Sequence, residues 1–394
     1  MKKSSIIIAL IASFVLNANT ANAYSSVSEA KSNIIIIDKD YSTLSKESLG
    51  EDILKSNNIL SYTENEKLSF DTENIYVINV GTINNNNDIR QKANNLVTSH
   101  EKVYLYGEDL KVSEIEDLLT ININELDDKD IKSDNDIQEE SWNVIGIENG
   151  TATSFAHIQS YDYDNNKISP ILENYIEVIV SGENRMNEFN EQSIQSVGNI
   201  STIVDSVYNI RDFVYTNDAW GNSILRSSLV SDYILYKNTN DTDPTYDYFL
   251  LKNNVQLYTN RAKAAKGYKV LVKHSLPYSG ADNITGWGPP SSNNDSTFSV
   301  SYPLGVSWSF SAGDSVDINT TENLSADTVQ YQMTNTNWIF GDYPFENDYI
   351  TIQPGTSWSS SGRTAVINGS ASAEVKVGAT THTLSVTHNF RYSY

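Results

Sequence analysis

The sequence predicts an α+β protein, in which a small N-terminal α/β domain is followed by a β-rich antiparallel sandwich domain. From Asn33 to Leu126, continuous apolar runs alternate with segments of helical periodicity. From Ser141 onwards, short segments with an apolar residue at every second position follow one another. The run between these two parts is rich in Asp and Glu, which is typical of a solvated linker. We therefore expect an α/β domain at 24–126, an acidic linker at 127–140 and a β-rich domain at 141–394.

The first 23 residues predict a secretory signal peptide. Lys2 and Lys3 precede an apolar run from Ile6 to Leu16, and Ala21-Asn22-Ala23 supplies a small-x-small cleavage site. We therefore expect a secreted, extracellular protein whose mature chain begins at Tyr24. The chain contains no cysteine, so its stability must come from core burial and not from disulfides.

The α/β part is predicted to contain a covered, mostly parallel sheet. Ile34–Ile37, Ile75–Val80 and Val103–Tyr106 are continuous apolar runs, as expected for strands that are buried on both faces. Asp88–Val97 and the segment that starts at Ser113 have helical periodicity. No glycine-rich phosphate loop follows any of these strands, so the sequence gives no support to a nucleotide site.

The β-rich part is predicted to consist of one helix and many short strands. The helix is expected at Gln192–Tyr208. Strands are expected at Val144–Ile147, Phe155–Tyr161, Ile176–Val180, Tyr233–Tyr236, Tyr246–Leu251, Val255–Tyr258, Tyr268–His274, Tyr349–Ile352, Ala371–Val377 and Thr383–Tyr394.

The most regular pattern in the chain is Phe298–Phe310, where apolar residues alternate with Ser, Pro and Gly. This period of two predicts one long strand, followed by a turn at Ala312–Ser315 and a second arm that includes Val329–Met333. Such a hairpin is long enough to enter a bilayer, and it is also typical of a soluble sandwich. The candidate membrane-facing residues are Phe298, Val300, Tyr302, Leu304, Val306, Trp308, Phe310, Val329, Tyr331 and Met333.

Composition argues against several classes of function. Residues 253–394 hold ten acidic and eight basic residues, so about −21 of the formal net charge of −23 lies in residues 1–252. Because phosphate contacts need clustered Lys and Arg, nucleic acid is not expected as a partner. The five histidines stand singly and no G-x-S-x-G motif occurs, so no catalytic residues are predicted and the protein is not expected to be an enzyme.

A calcium loop is the one metal site that the sequence suggests. Asp162, Asp164, Asn166 and Glu173 fall at positions 1, 3, 5 and 12 of such a loop. Lys167, however, stands at position 6, where the sharp turn needs glycine. An acidic turn between two strands is therefore the favoured interpretation, and otherwise no cofactor is expected.

Exposed aromatic residues are the remaining signal. Trp287 lies in Gly286-Trp287-Gly288-Pro289-Pro290, which predicts an exposed turn, and Tyr343 and Phe345 lie in a second aromatic cluster. Aromatic side chains on loops suit contacts with glycans, receptors or lipid headgroups. We therefore expect Trp287, Tyr343 and Phe345 to form a contact surface.

Residues 247–377 resemble the cytolysin domain of the leukocidin and hemolysin family of β-barrel pore-forming toxins. The resemblance rests on the order of the segments Asp247–Tyr258, Tyr268–His274, Phe298–Val306, Thr328–Met333 and Pro344–Ile350. It implies a water-soluble monomer that assembles into a ring and inserts one hairpin from each protomer into a target-cell membrane. It also implies that the N-terminal α/β domain is a pro-region or appendage.

Three functions follow from these patterns. The first is a secreted pore-forming, cytolytic protein that acts after homo-oligomerisation. Since each arm of a spanning hairpin needs about ten residues, its stem would have to include both Phe298–Phe310 and Asp327–Asn335. The alternative is a secreted, adhesin-like sandwich protein that binds a surface glycan or receptor and forms no pore. In the third, the alternating residues from Leu384 to Tyr394 form the closing strand of an outer-membrane barrel.

Overall fold

The computed structural model describes residues 32–37, 54, 57–61, 74–119, 140–193, 201–239, 243–277, 281–293, 296–300, 306–310, 316–337 and 341–394. The predicted signal peptide and nearly all of the predicted acidic linker lie outside these residues, so both stay predictions. The described part is an α+β protein, which confirms the predicted fold class. It consists mainly of a thirteen-stranded sheet and a seven-stranded sheet.

Within the described residues, the helices are α1 (Val80–Asn85), α2 (Asn87–Thr98), α3 (Val112–Leu119) and α4 (Leu172–Ser193). The strands are β1 (Ser32–Ile37), β2 (Asn57–Ser61), β3 (Asn74–Asn79), β4 (Lys102–Leu110), β5 (Trp142–Glu148), β6 (Thr151–Tyr161), β7 (Lys167–Ile168), β8 (Ser201–Asn217), β9 (Ser223–Asn238), β10 (Asp247–Thr259), β11 (Ala265–Ser275), β12 (Asp282–Gly288), β13 (Ser292–Asn293), β14 (Ser296–Val300), β15 (Val306–Phe310), β16 (Asp317–Asn323), β17 (Thr328–Asn337), β18 (Gly341–Tyr343), β19 (Tyr349–Ile352), β20 (Gly355–Ser360), β21 (Thr364–Val377) and β22 (Thr380–Ser393).

The large sheet joins both parts of the sequence. Its order is β12-β20-β10-β9-β8-β6-β5-β4-β3-β1-β2, with β19 beside β10 and β7 beside β6. Strands β1 to β4 are parallel, and the continuous apolar runs predicted this for β1, β3 and β4 but not for β2. The sheet then continues through antiparallel pairing of β4 with β5, where Val103 lies opposite Ile147. Backbone hydrogen bonds therefore cross the predicted boundary between the two domains.

Helix α4 covers one face of the large sheet and overturns two predictions. The predicted strand Ile176–Val180 belongs to α4, and the predicted helix at Gln192–Tyr208 gives way to β8 from Ser201. Strands β6 and β8 are parallel neighbours, so the chain must return along the sheet between them, and α4 makes this crossover. Ile176 and Ile179 are fully buried against the sheet. Their β-branched side chains made the helical segment resemble a strand.

An ion pair fixes α4 to the sheet. The Lys102 ammonium in β4 lies 2.9 Å from Oε2 of Glu183 and 3.6 Å from Oε1 of Glu148. The Tyr104 hydroxyl also donates a hydrogen bond to Glu183. Burial alone would lower the pKa of Lys102, but the two carboxylates raise it above its usual value. Helix and sheet are therefore held by charge as well as by apolar packing.

Two separate layers cover the other face of the large sheet. Helices α2 and α3 pack over the parallel strands, with Leu96 and Ile115 buried. The seven-stranded sheet, in the order β13-β16-β17-β11-β21-β22 with β18 beside β17, packs over β8, β9 and β10. Its strand β22 places the Phe390 ring 5.8 Å from the Tyr233 ring of β9. The apolar side of β22 thus faces another sheet. This packing explains why apolar residues alternate along the strand, and no outer-membrane barrel is needed to explain the pattern.

Among the described residues, none of the helices combines the length and the apolar character that a membrane span requires.

Cleavage of the predicted linker is expected to nick the protein without separating its parts. Because β4 and β5 pair across the boundary, the fragments on either side of residues 120–139 should co-elute in gel filtration under native conditions. They should separate only in denaturant. Independent elution of the two fragments in native buffer would contradict the continuous sheet.

Candidate functional site

The segment predicted as one long strand is a short hairpin. Strand β14 pairs antiparallel with β15, and the register places Phe298 opposite Trp308 and Val300 opposite Val306. The prediction of a single strand at Phe298–Phe310 is therefore wrong. Strands β14 and β15 run in opposite directions, and Pro303, which stands between them in the sequence, lacks the N–H that a central strand position needs. Tyr302 and Leu304 lie outside the described residues.

This hairpin pairs with neither large sheet within the described part of the chain. Strands β14 and β15 form a two-stranded sheet of their own. The chain leaves the seven-stranded sheet after Asn293 and rejoins it at Asp317, and these two residues are paired partners in β13 and β16. Residues 294–316 are therefore an excursion from one edge of the sheet, and we call this segment the edge excursion. Its two ends are held side by side.

The edge excursion extends a hairpin that β13 and β16 already begin. Strands β13 and β14 follow one another along one arm, and β15 and β16 follow one another along the other. Two residues separate Asn293 from Ser296, whereas six separate Phe310 from Asp317. The two paired parts therefore differ in register by four residues, so the second arm is longer between them.

The predicted second arm of the hairpin belongs to the core. Val329, Tyr331 and Met333 are fully buried in β17, which pairs with both β11 and β16. The Tyr331 hydroxyl donates to the carbonyl oxygen of Gly355 over 2.8 Å, and burial raises the pKa of Tyr331. These three residues are therefore central residues of the sandwich, and in this structure they are not part of a separate hairpin arm.

Exposed aromatic side chains collect at one end of the large sheet. Strands β6 and β8 are parallel, with Tyr161 beside Thr216, so the turns that follow them project from the same end. The first turn carries Tyr163, which is 70% exposed, and the second carries Trp220, which is 86% exposed. Tyr349, which pairs with Tyr258 near the C-terminal end of β10 at this end of the sheet, is 60% exposed. We call Tyr163, Trp220 and Tyr349 the aromatic end.

The two turns of the aromatic end share one geometry. In Asp162–Asn166 and in Asp218–Asn222, the carboxylate of the Asp accepts hydrogen bonds from the backbone N–H of the Asn at 2.8 and 2.9 Å. It also accepts from the Asn side-chain amide, at 2.9 and 3.0 Å. In each turn the fourth residue has positive φ: 65° at Asn165 and 86° at Gly221. These contacts hold the turns in place without support from the core.

The same hydrogen bonds make the turns sensitive to acid. The amide of the paired Asn lowers the pKa of Asp162 and of Asp218 below the ordinary value. A lowered pKa in the folded state means that these contacts contribute at neutral pH and are lost as the pH falls through that lowered value. The aromatic end is therefore most ordered at neutral and alkaline pH.

The predicted calcium loop does not assemble. The Asp162 carboxylate is engaged by Asn166, and Glu173 lies in the first turn of α4. In the described ranges, no three side chains of the His, Cys, Asp and Glu types come together to hold a metal ion. The alternative that the sequence favoured, an acidic turn between strands, is the structure observed.

Two of the three predicted surface aromatics are placed differently from the prediction. Trp287 lies in strand β12 opposite Thr356 and packs partly buried against the core, so it does not occupy an exposed turn. Phe345 is 1% exposed and packs beside Gly267, where an added Cβ would lie only 3.1 Å from its ring. Tyr343 is 39% exposed. The Asp-x-x-x-Asn spacing around Tyr163 and Trp220 was the sequence signal that could have located the exposed residues.

Comparison with known proteins does not establish a family. No protein-family model and no curated protein matches the chain. Clostridium perfringens delta-toxin is similar over 50% of this chain and 95% of its own, with 10% identity and a TM-score of 0.28. The C. perfringens NetB toxin in its membrane-inserted form covers 48% of this chain and 94% of its own, with 8% identity and a TM-score of 0.20. A collagen-binding domain from a Staphylococcus aureus adhesin covers 41% of this chain and 97% of its own, with 12% identity and a TM-score of 0.22.

TM-scores this low do not distinguish a toxin from an adhesin.

Substituting Trp220 and Trp287 in turn tests which of the two tryptophans is exposed. Trp220→Ala should change the free energy of unfolding by no more than about 0.5 kcal/mol, because the indole has few neighbours to lose. Trp287→Ala should lower it by roughly 2 kcal/mol, since it removes packing against the core. Chemical denaturation of both variants measures the difference. A large loss of unfolding free energy in Trp220→Ala, with no loss in Trp287→Ala, would contradict the exposed position of Trp220 and the packed position of Trp287.

Proposed function

We propose that the protein is a secreted pore-forming protein, which attaches to a target-cell membrane, oligomerises and inserts the edge excursion as a spanning hairpin. The observation that carries this proposal is the separate pairing of β14 with β15. Both arms leave the sandwich from adjacent positions, Asn293 and Asp317, so the segment can extend without breaking the seven-stranded sheet behind it. An ordinary sandwich hairpin would be expected to pair with one of the large sheets.

The length of the excursion supports insertion. A strand needs about 9–11 residues to cross a bilayer. The first arm, 292–300, reaches this length when β13 and β14 join, and the second arm is longer. The β13–β16 pair and the β14–β15 pair could form one continuous ladder only if the extra residues of the second arm shifted the register or formed a bulge. The proposed hairpin is therefore rooted in β13 and β16, and it leaves β17 in the core.

The alternation within the hairpin supports the same function. The register pairs apolar with apolar residues at Val300 and Val306, and serine with serine at Ser299 and Ser307. A membrane barrel needs one face of each strand toward lipid and the other toward a water-filled lumen. Because open sheet edges are not tolerated in lipid, the inserted hairpins must pair with those of neighbouring protomers. Insertion therefore implies a closed homo-oligomer.

The aromatic end is proposed as the surface that first touches the membrane. Trp and Tyr favour the headgroup region, where an apolar ring and a polar group are both satisfied. The chain carries a formal net charge of −23, so anionic lipids would repel it. We therefore expect attachment to zwitterionic membranes, through Trp220 and its neighbours.

The second candidate is a secreted glycan- or receptor-binding protein that forms no pore. The aromatic end favours it, because rigid turns that present Tyr163 and Trp220 would serve a binding protein equally well. The two candidates differ in whether the edge excursion ever leaves the soluble fold.

Lysine substitutions on the two opposite faces of β15 test whether this strand lines a membrane pore. A lysine facing lipid at the middle of the bilayer costs about 2–4 kcal/mol, whereas one facing the lumen is tolerated. Phe310 pairs with Ser296, which lies at the middle of the first arm 292–300. Phe310→Lys should therefore abolish dye release from zwitterionic liposomes, while the adjacent Ser309→Lys should retain it. Both variants should keep the native melting temperature and circular dichroism, which serves as the folding control.

The same assay identifies the alternative. If the unmodified protein binds liposomes or cells, releases no dye and stays monomeric, the binding protein is supported. If dye release occurs and both lysine variants lose it equally, a pore forms by a route other than this hairpin.

A further inference from the structure

A polar cleft lies over strands β4 to β8 of the large sheet. Glu108 and Asp109 of β4 line it, and β22 of the seven-stranded sheet adjoins it through the Ser385 N–H, which donates to Asp212. The cavity has a volume of about 480 Å³, which is within the range that binds small ligands. Asp212 of β8, Trp142 of β5 and His157 of β6 also line it. The cleft is separate from the edge excursion and is not used in the proposed insertion.

Asp212 is the unusual residue of the cleft. It is 3% exposed, and its Oδ2 accepts hydrogen bonds from the Gln159 amide at 2.7 Å and from the backbone N–H of Ser385 at 2.8 Å. Its Oδ1 is buried and has no hydrogen-bond partner. Burying a carboxylate oxygen without a partner is costly, so a donor that reaches this atom would be bound favourably.

Within the described residues Asp212 forms no salt bridge, although the charge of His157 acts to lower its pKa. The preceding residue, Arg211, points to the opposite face of the sheet and donates to Ser154 Oγ at 3.2 Å. On the cleft side, the titratable groups from β6 are His157 and Tyr161, and the group from β22 is His382. Burial lowers the pKa of His382, which favours its neutral form. The other charged residues that line the cleft are Glu108, Asp109 and Lys167, and the Glu140 carboxylate lies 3.4 Å from Nε2 of His157.

Acidic groups therefore outnumber basic groups around the buried carboxyl group of Asp212, which forms no ion pair. The flat wall of the cleft is the pair Trp142 and His157, whose rings stack at 4.3 Å. Such a wall accepts the apolar part of a ligand, and an aromatic surface also attracts a cation. We propose that this cleft binds a small protonated amine, with its ammonium group donating to Asp212 and its carbon skeleton lying against the Trp142 and His157 rings.

The proposal predicts that binding depends on pH. Burial raises the pKa of Asp212 to about 7, because an ionised carboxylate there has lost its water. An ammonium ligand prefers the ionised form, so binding should release a proton and strengthen as the pH rises. Between pH 6 and pH 8 the ionised fraction grows about tenfold, and the affinity should rise by the same factor.

The test uses two probes that differ only in charge. Ethanolamine and ethylene glycol have the same size, but only the first carries an ammonium group. Titration of the full chain, followed by calorimetry and by NMR line shifts, should show binding of ethanolamine with an affinity about tenfold higher at pH 8 than at pH 6. Ethylene glycol should bind at least tenfold more weakly at pH 8.

Asp212→Asn should abolish the pH dependence and most of the binding of ethanolamine, because the new amide presents no carboxylate to the ammonium group. The matched control is Asp218→Asn, which makes the same change at an exposed turn and should leave binding unaltered. Equal affinity for the two probes, or absence of ethanolamine binding at pH 8, would overturn the proposal. So would retention of binding by Asp212→Asn. The comparison of the two probes on the unmodified protein decides the matter even if Asp212→Asn does not fold.

Discussion

The backbone pairing of the large sheet is the constraint on which the rest of the structure depends. A sheet that runs without interruption from β2 to β12 exposes two wide apolar faces, and both must be covered. Helix α4 covers one face, and on the other α2, α3 and the seven-stranded sheet divide the surface. The cleft at Asp212 is lined by residues of β4 to β8 and of 169–170. The β14–β15 hairpin is hydrogen-bonded to neither of the two large sheets in the described part of the chain.

This arrangement assigns different tasks to different parts of the sandwich. The core strands, including β17, hold buried residues such as Tyr331 and cannot leave without loss of packing. The edge excursion is anchored by the two residue pairs that join β13 and β16, so its movement would leave those strands in place. The aromatic end is held by the Asp162 and Asp218 turns, so aromatic rings can be exposed on a rigid support. The proposed function uses the last two features together.

The sequence was informative wherever one local pattern decided the structure. The continuous apolar run Ile34–Ile37 predicted a parallel strand, and the helical spacing of Asp88–Val97 predicted α2, because burial follows periodicity directly. Ile176–Val180 failed because its β-branched residues concealed a crossover helix that only the pairing of β6 with β8 requires. Phe298–Phe310 failed because period two persists on both sides of a reversal, and Pro303 was the one local sign of it. The aromatic end was missed because its residues meet only through the parallel alignment of two distant strands.

The most direct test of the account follows the environment of each residue in the hairpin. The chain has no cysteine, so single cysteines at each position of β14 and β15 can carry an environment-sensitive fluorophore. On addition of zwitterionic liposomes, labels at Phe298, Val300, Val306 and Trp308 should shift to the blue, while labels at Ser299, Ser307 and Ser309 should stay solvent-exposed. Such a period of two would show the apolar face entering lipid. An unchanged spectrum at every position, in protein that is bound to the liposomes, would contradict insertion of this segment.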